Sequence, residues 1–532
     1  MRSDYVIVGA GSAGCVLAGR LSEGGDATVT LIEAGGSDRS PLIRVPIGLL
    51  WVMQGGRYDW GFATTPQAGL GGRALRYPRG RVLGGSSSIN GMTAIRGQAE
   101  DFEAWAAHGC EGWDFRSILP YFKKLESYPG GGDQYHGAFG PIGLADVSYR
   151  PPVANAVIAA CVEAGIPRND DFNGARQEGA GYYQNNMRRG LRESASVGYL
   201  RPAARRPNLT VLTRAQVVRI NVEGDRACSV TIKQGGETKT IEAGREIILS
   251  AGAIQSPQLL LLSGVGPEDE LKRHGIPVVR RLDGVGRNFH DHIDVPVIAQ
   301  VSEGSALHSQ YTPLRTLGHA LRYAFLRTGP LAVVTSPVGI FTRSRAEVPT
   351  PDLQYHVALW GFLGHGAIKL KLDAVTAAVC PMRPTSRGTI RLASADPFAA
   401  PLIDPNYLAT EDDRRTILDA IRVTRRITAQ PAFKPFFEKE LYPGPAKESD
   451  EDLMAFVREN ADTVYHPVGT CRMGRADDPA TVVTPDLRVN GIRSLRVVDA
   501  SIMPRVVSGN TNLPVMMIAE RAADLIRGSR SV

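Results

Sequence analysis

Several groups of residues have types and spacings suited to chemistry. Gly9-x-Gly11-x-x-Gly14 lies between an apolar run, Tyr5 to Val8, and a helical stretch, Cys15 to Leu21; a second run, Ala27 to Ile32, ends in Glu33. Glycines so spaced let the backbone turn tightly, approach a pyrophosphate and pack helix against strand. The helix start then presents amides and the positive end of its dipole to a phosphate. A carboxylate about twenty residues past the last glycine accepts bonds from ribose hydroxyls and disfavours a 2′-phosphate. Strand, helix, second strand and acidic end together favour a dinucleotide over a glycine turn in another α/β fold. From Gly80 to Gly91 the chain is rich in Gly and Ser, exposing amides and hydroxyls to a large flat ligand. His290-Asp291-His292-x-Asp294 contains first-row metal ligand types. His466, in Tyr465-His466-Pro467, titrates near neutrality and suits general-base work, although a lone histidine in a turn is more often structural.

The elements that must hold these residues follow from the apolar patterning. Leu209 to Leu212, Val217 to Val222 and Ser229 to Lys233 read as strands. Glu246 to Ala253 reads as a buried strand running into a glycine turn, with Ser256 capping a helix that begins at Pro257 and ends at Gly264. From about Val295 to Asp450 the pattern is strand-like, as in Leu353 to Leu359 and Val375 to Met382. Leu495 to Asp499 is a last buried strand and Leu513 to Ile526 a closing helix. The first and last thirds are thus α/β, enclosing a β-rich insertion.

The 532 residues are enough for roughly three domains' worth of core. Glycine, at 58 residues, exceeds the average share of roughly 7%. A net charge of +7 without a dense basic block argues against nucleic acid. Six scattered cysteines without a CxxC pair argue against a disulfide scaffold or zinc ribbon. No apolar run reaches the ~18 residues of a bilayer span, and no secretory signal opens the chain, so a cytoplasmic location is expected.

The stretches Gly80 to Glu100 and Gly252 to Gly266, with the βαβ opening, Gly284-Val285-Gly286-Arg287-Asn288 and Tyr465-His466-Pro467, resemble the glucose–methanol–choline (GMC) family of FAD-dependent oxidoreductases from Asp4 to about Ile526. The flavour is that of its bacterial choline-dehydrogenase-like and alcohol-dehydrogenase-like members. The resemblance implies an α/β architecture with a Rossmann-type FAD-binding domain (1–150, 205–295 and 462–532) and an interleaved β-sheet-based substrate domain (151–204 and 296–461). It implies that Gly9, Gly11, Gly14 and Glu33, with Ser12, Ala13 and Ala34, hold the ADP half of FAD, and that Val218 presents backbone to the adenine. Leu83, Gly84, Asn90 and Met92, with Arg81, Ser88 and Gly91, then lie along the flavin and pyrophosphate. Ala251, Gly252, Asp499 and Ala500 approach the ribitol–pyrophosphate, and Asn510, Thr511 and Asn512 the flavin ring. The histidine to which some members attach FAD is Ile89 here, so non-covalent FAD is expected.

In the same frame His466 is the base that takes a hydroxyl proton while hydride leaves for flavin N5, and Asn510 orients the substrate oxygen. Val464, His356, Trp360 and Phe362 are the expected substrate walls. The Asp-His pair after the glycine turn is structural in the family, so no metal is expected. The implied reaction is oxidation of a primary alcohol to the aldehyde, with flavin reoxidised by oxygen or a quinone. The alternatives are a hydroxynitrile lyase, a fatty-acid photodecarboxylase or a choline dehydrogenase; a homodimer stays open.

Overall fold

The protein is described by a computed structural model covering residues 1–332 and 336–528; residues 333–335 and 529–532 of the expected domains lie outside the described residues. Two seven-stranded sheets dominate. In the first, Leu209–Leu212, Val29–Ile32, Arg2–Val8 and Glu237–Leu249 run parallel in that order, with Leu495–Val497 parallel to the end of Glu237–Leu249. Arg226–Gln234 and Ala215–Glu223 extend the sheet antiparallel. The Val, Ile and Leu runs follow from burial on both faces, which suits parallel strands covered by helices. Helices Ser12–Leu21 and Asn512–Gly528 pack together and share one apolar core with this sheet.

The second sheet is antiparallel, in the order Phe437–Tyr442, Ile293–Val301, Ala374–Pro381, Leu353–Ala358, Val338–Thr342 and Gly179–Tyr182. Helices Pro152–Glu163 and Glu411–Thr428 pack with it in a second core. The cores interleave: Ala195 to Ala203 joins the first, while Leu70, Leu75 and Val147 join the second. At these points packing crosses the expected domain limits.

One helix start differs from expectation. The helix runs Gly252–Leu262 with Pro257 inside it, so Ser256 is not its cap. Proline at this position removes the bond to the carbonyl of Ala253, and that oxygen is satisfied instead by the Thr470 hydroxyl at 2.6 Å. Ser256 Oγ is free to donate to Asp499 at 2.5 Å.

Candidate functional site

The glycine turn forms the floor of the site. Gly9 has φ +96°, and a Cβ on Gly14 would sit 1.9 Å from the Gly9 carbonyl oxygen, so neither position admits a side chain. A Cβ on Gly11 would meet only the Ser250 carbonyl oxygen, at 3.9 Å, because the space in front of it is open. Gly11 caps helix Ser12–Leu21 with no side-chain cap bond and no acid in the first turn, leaving the helix start available to an anion. Glu33 accepts from Ala10 N at 3.0 Å and Gly35 N at 2.7 Å, and burial pushes its pKa up to about 7.

Above this floor lies an elongated cavity of about 240 Å³ running from Glu33 to His466. Gly9, Gly11, Ser12, Ala13, Glu33 and Ala34 line one end. Asn90, Gly91, Ala251, Gly252, Asp499, Ala500, Thr511 and Asn512 line its length, as does Ile89. Asp499 accepts from Gly252 N at 2.9 Å and Ser501 N at 2.8 Å, and burial raises its pKa. Ser12 Oγ donates to Asn512 Oδ1 at 2.9 Å, tying the glycine turn to the last helix.

The remaining expected cofactor residues stand behind this surface. Gly84 N donates to the Ala10 carbonyl at 2.8 Å, and Ser88 Oγ to the Leu83 carbonyl at 2.7 Å. The Arg81 guanidinium lies over the Trp60 ring at 4.6 Å, and Met92 N donates to Asn90 Oδ1 at 3.1 Å. Gly14 packs against Gly9 below the lining. Val218 falls in a bulge between Val217 and Arg219, and Ala215, Gln216 and Val217 line the cavity. Gly85 and Ser86, from the expected Gly80 to Gly91 run, also line it, as do Trp60, Arg79, Ser250 and Tyr465, to which no cofactor role was given. Trp60 carries no local signal. The donor set fits a dinucleotide: an uncapped helix start, a glycine-lined groove, and a buried Ser250 Oγ with no hydrogen-bond partner among the described residues.

At the far end His466 is built by two chain segments pressed together. Asp462–Thr463 pairs with Ile293–Asp294, and Val464 N donates to the His292 carbonyl at 2.9 Å. Asp291 is the hub: its carboxylate accepts from the hydroxyls of Tyr77 (2.5 Å), Tyr407 (2.6 Å) and Thr463 (2.5 Å) and from the amides of His292 (2.8 Å) and His466 (2.6 Å). Asp291 thus braces the loop that carries His466. His290 Nε2 accepts from Val506 N at 2.9 Å.

The hydrogen bonds assign the tautomers. His292 Nε2 is 2.8 Å from the Met382 carbonyl and must carry the proton. Its Nδ1 is then an acceptor in the neutral ring, so His466 Nδ1, 3.0 Å away, donates to it. His466 Nε2 is left with a lone pair, 3.2 Å from Asn510 Nδ2. Burial, then the His292 and His356 rings and Arg79, hold the His466 pKa well below the usual imidazole range. Asn510 Oδ1 accepts from Gln354 Nε2 at 2.9 Å, and Asn510 Nδ2 lies 3.3 Å from His356 Nε2. Gln354 and His356 reach Asn510 together because alternate strand residues share a face.

Of the expected substrate walls, Val464 lines the cavity and His356 meets Asn510. Trp360 and Phe362 do not line it with them. The strand ends at Ala358, so the alternation stops; Trp360 stacks on Tyr311 at 5.0 Å, and with Phe362 it lines a separate apolar cavity.

Family models described as GMC oxidoreductase match residues 3–294 and 384–519. The chain is 45% identical to the mitochondrial choline dehydrogenase of Homo sapiens, over 99% of this chain and 90% of that protein. It is 43% identical to the alcohol dehydrogenase [acceptor] of Pseudomonas putida, over 98% and 95%. Among solved structures, pyridoxine 4-oxidase from Mesorbium loti superposes with TM-score 0.89 at 32% identity, covering 98% of each chain. Formate oxidase does so with TM-score 0.93 at 28% identity, over 99% of this chain and 98% of that one. The chain therefore belongs to the GMC oxidoreductases, a family of FAD-dependent enzymes.

Proposed function

We propose that the chain oxidises a primary alcohol to the aldehyde, with His466 as the base. The observation that carries this is the lone pair on His466 Nε2, held toward Asn510 by the His292 relay. FAD, when bound, supplies the two-electron oxidant that takes hydride from the carbinol carbon, and oxygen or a quinone reoxidises it. His466 Nε2 accepts the hydroxyl proton, while Asn510 Nδ2 donates to the substrate oxygen and orients it. Val464 and Tyr465, which line the cavity next to His466 in the chain, keep water from the reacting carbon. The glycine turn, Glu33, Asp499 and the Gly80–Gly91 loop hold the cofactor, in a unit assigned to 1–150, 205–295 and 462–532, and 151–204 with 296–461 serve the substrate. Ile89 at the cavity wall has no nucleophile, so FAD is held non-covalently and is released by acid precipitation. Six unpaired cysteines, five of them buried, support a cytoplasmic location.

The relatives named choline dehydrogenase favour choline as a second reading. Against it, among the described residues the only carboxylates lining the cavity are Glu33 and Asp499, both bonded to backbone amides. Anaerobic reduction of the bound flavin by a panel of apolar primary alcohols and choline tests both readings. Bleaching by the apolar alcohols is expected; an unbleached flavin with every alcohol sinks the oxidative reading, and bleaching by choline alone replaces the first with the second.

A further inference from the structure

Helix Pro313–Leu326 buries a single residue, Tyr323. At ~100° per residue, Leu314, Leu317, Leu321 and Phe325 form one face, opposite Tyr323. Tyr323 ties the helix to the body through a 2.7 Å bond to the Gly190 carbonyl, so this apolar face points away from the protein. Leu314 is 81% exposed and Phe325 82%. A short helix gains little stability in water unless its apolar face is covered.

The face does not stand alone. Pro46–Gly48 packs on Pro330–Ala332 beside this helix, and Leu42, Trp51 and Ile368 add exposed apolar side chains from segments 41–52 and 360–371. Of the large hydrophobics exposed among the described residues, eight of fourteen lie in these segments and the helix. The charge there has one sign: segments 41–52, 313–332 and 360–371 contain Arg44, Arg315, Arg322, Arg327, Lys369 and Lys371 and no Asp or Glu. Apolar side chains flanked only by cations match an interfacial helix lying on anionic lipid. A second copy of the chain would bring the same cations face to face. Among the described residues no helix is long and apolar enough to cross a membrane, so the contact is with a bilayer surface.

We propose that this face docks the protein on an anionic membrane surface, with helix Pro313–Leu326 lying in the headgroup layer. The test is co-sedimentation of the FAD-loaded full chain with vesicles of phosphatidylcholine, alone or mixed with phosphatidylglycerol. Binding to the mixed vesicles is expected, weakening as salt rises from ~0.05 to ~0.5 M. Leu317→Glu with Phe325→Glu is expected to lower partitioning at least about tenfold, with melting temperature and flavin reduction by a soluble alcohol unchanged. Arg315→Gln, Arg322→Gln and Lys369→Gln together are expected to abolish the preference for phosphatidylglycerol, and they keep the test decisive should the acidic pair misfold. The proposal is overturned if the wild type stays in the supernatant or if both variants sediment like it. It is equally overturned if the wild type is a dimer that Leu317→Glu dissociates.

Discussion

Replacing His292 tests whether His466, as the proposed base, owes its proton placement to the neighbouring ring. In the wild type, His466 Nδ1–H donates to His292 Nδ1 at 3.0 Å, and the Met382 carbonyl at 2.8 Å keeps that nitrogen an acceptor. His292→Ala strands a buried N–H, which costs about 1–3 kcal/mol. The ring can escape by moving its proton to Nε2, but that proton then faces the Asn510 amide, whose oxygen is engaged by Gln354. A lost tautomer preference of about 1–3 kcal/mol corresponds to roughly 5- to 150-fold slower flavin reduction. Complete inversion of the tautomer sets the other bound, about 10⁴-fold, as when the orienting Asp of a serine-protease triad becomes Asn. The assay is anaerobic stopped-flow reduction of bound flavin by saturating primary alcohol. The KM should change little, because His292 lies behind the base. His292→Gln, whose amide oxygen can accept from His466, should restore part of the rate, whereas simple loss of packing predicts no such rescue. Reduction by His292→Ala within twofold of wild type would falsify the relay.

Two further outcomes follow from distances already given. Gly14→Ala places a Cβ 1.9 Å from the Gly9 carbonyl oxygen, so the purified protein should carry little flavin by absorbance, and a fully loaded variant would contradict the tight turn. Asp291→Ala leaves three hydroxyls and two amides without their acceptor; at ~1.5–3 kcal/mol per bond to a charged group, a loss of at least about 3 kcal/mol in denaturant unfolding is expected.

Stability should also narrow from both sides in pH. Burial holds His290, His292 and His466 below their usual 6.5, so the unfolded chain binds protons the folded one refuses, and stability falls as pH drops below 6.5. At His136 desolvation lowers the pKa, but bonds to Asp171 and Glu126 outweigh it and raise the value to about 9. Its contribution is complete below 6.5 and lost as pH rises through about 9. Melting temperatures across pH 5 to 10 check both limbs, with His136→Gln expected to flatten the alkaline one.

What the sequence determined by itself is the glycine-lined end of the cavity. The glycine turn, its flanking strands and Glu33 lie within about thirty-five residues of one another, where steric demands act on neighbours in the chain and leave a readable spacing. The strand before Gly252 and the closing helix were legible for the same reason, as apolar periodicity over short windows. The Ser256 cap was misread because the group that compensates Pro257, the Thr470 hydroxyl, comes from a distant segment.

Only the tertiary structure decided the chemistry at the other end. His292 and His466 are 174 positions apart, and Gln354 and Asn510 are 156 apart. Nothing local distinguishes His292 from a metal ligand or a spacer until sheet packing sets it against His466. Trp360 and Phe362 followed the strand alternation on paper and left it in space, because the strand stops at Ala358. Local backbone sterics write a pattern into the chain, whereas a proton relay depends on where separate segments meet, and that is set by burial of the whole core.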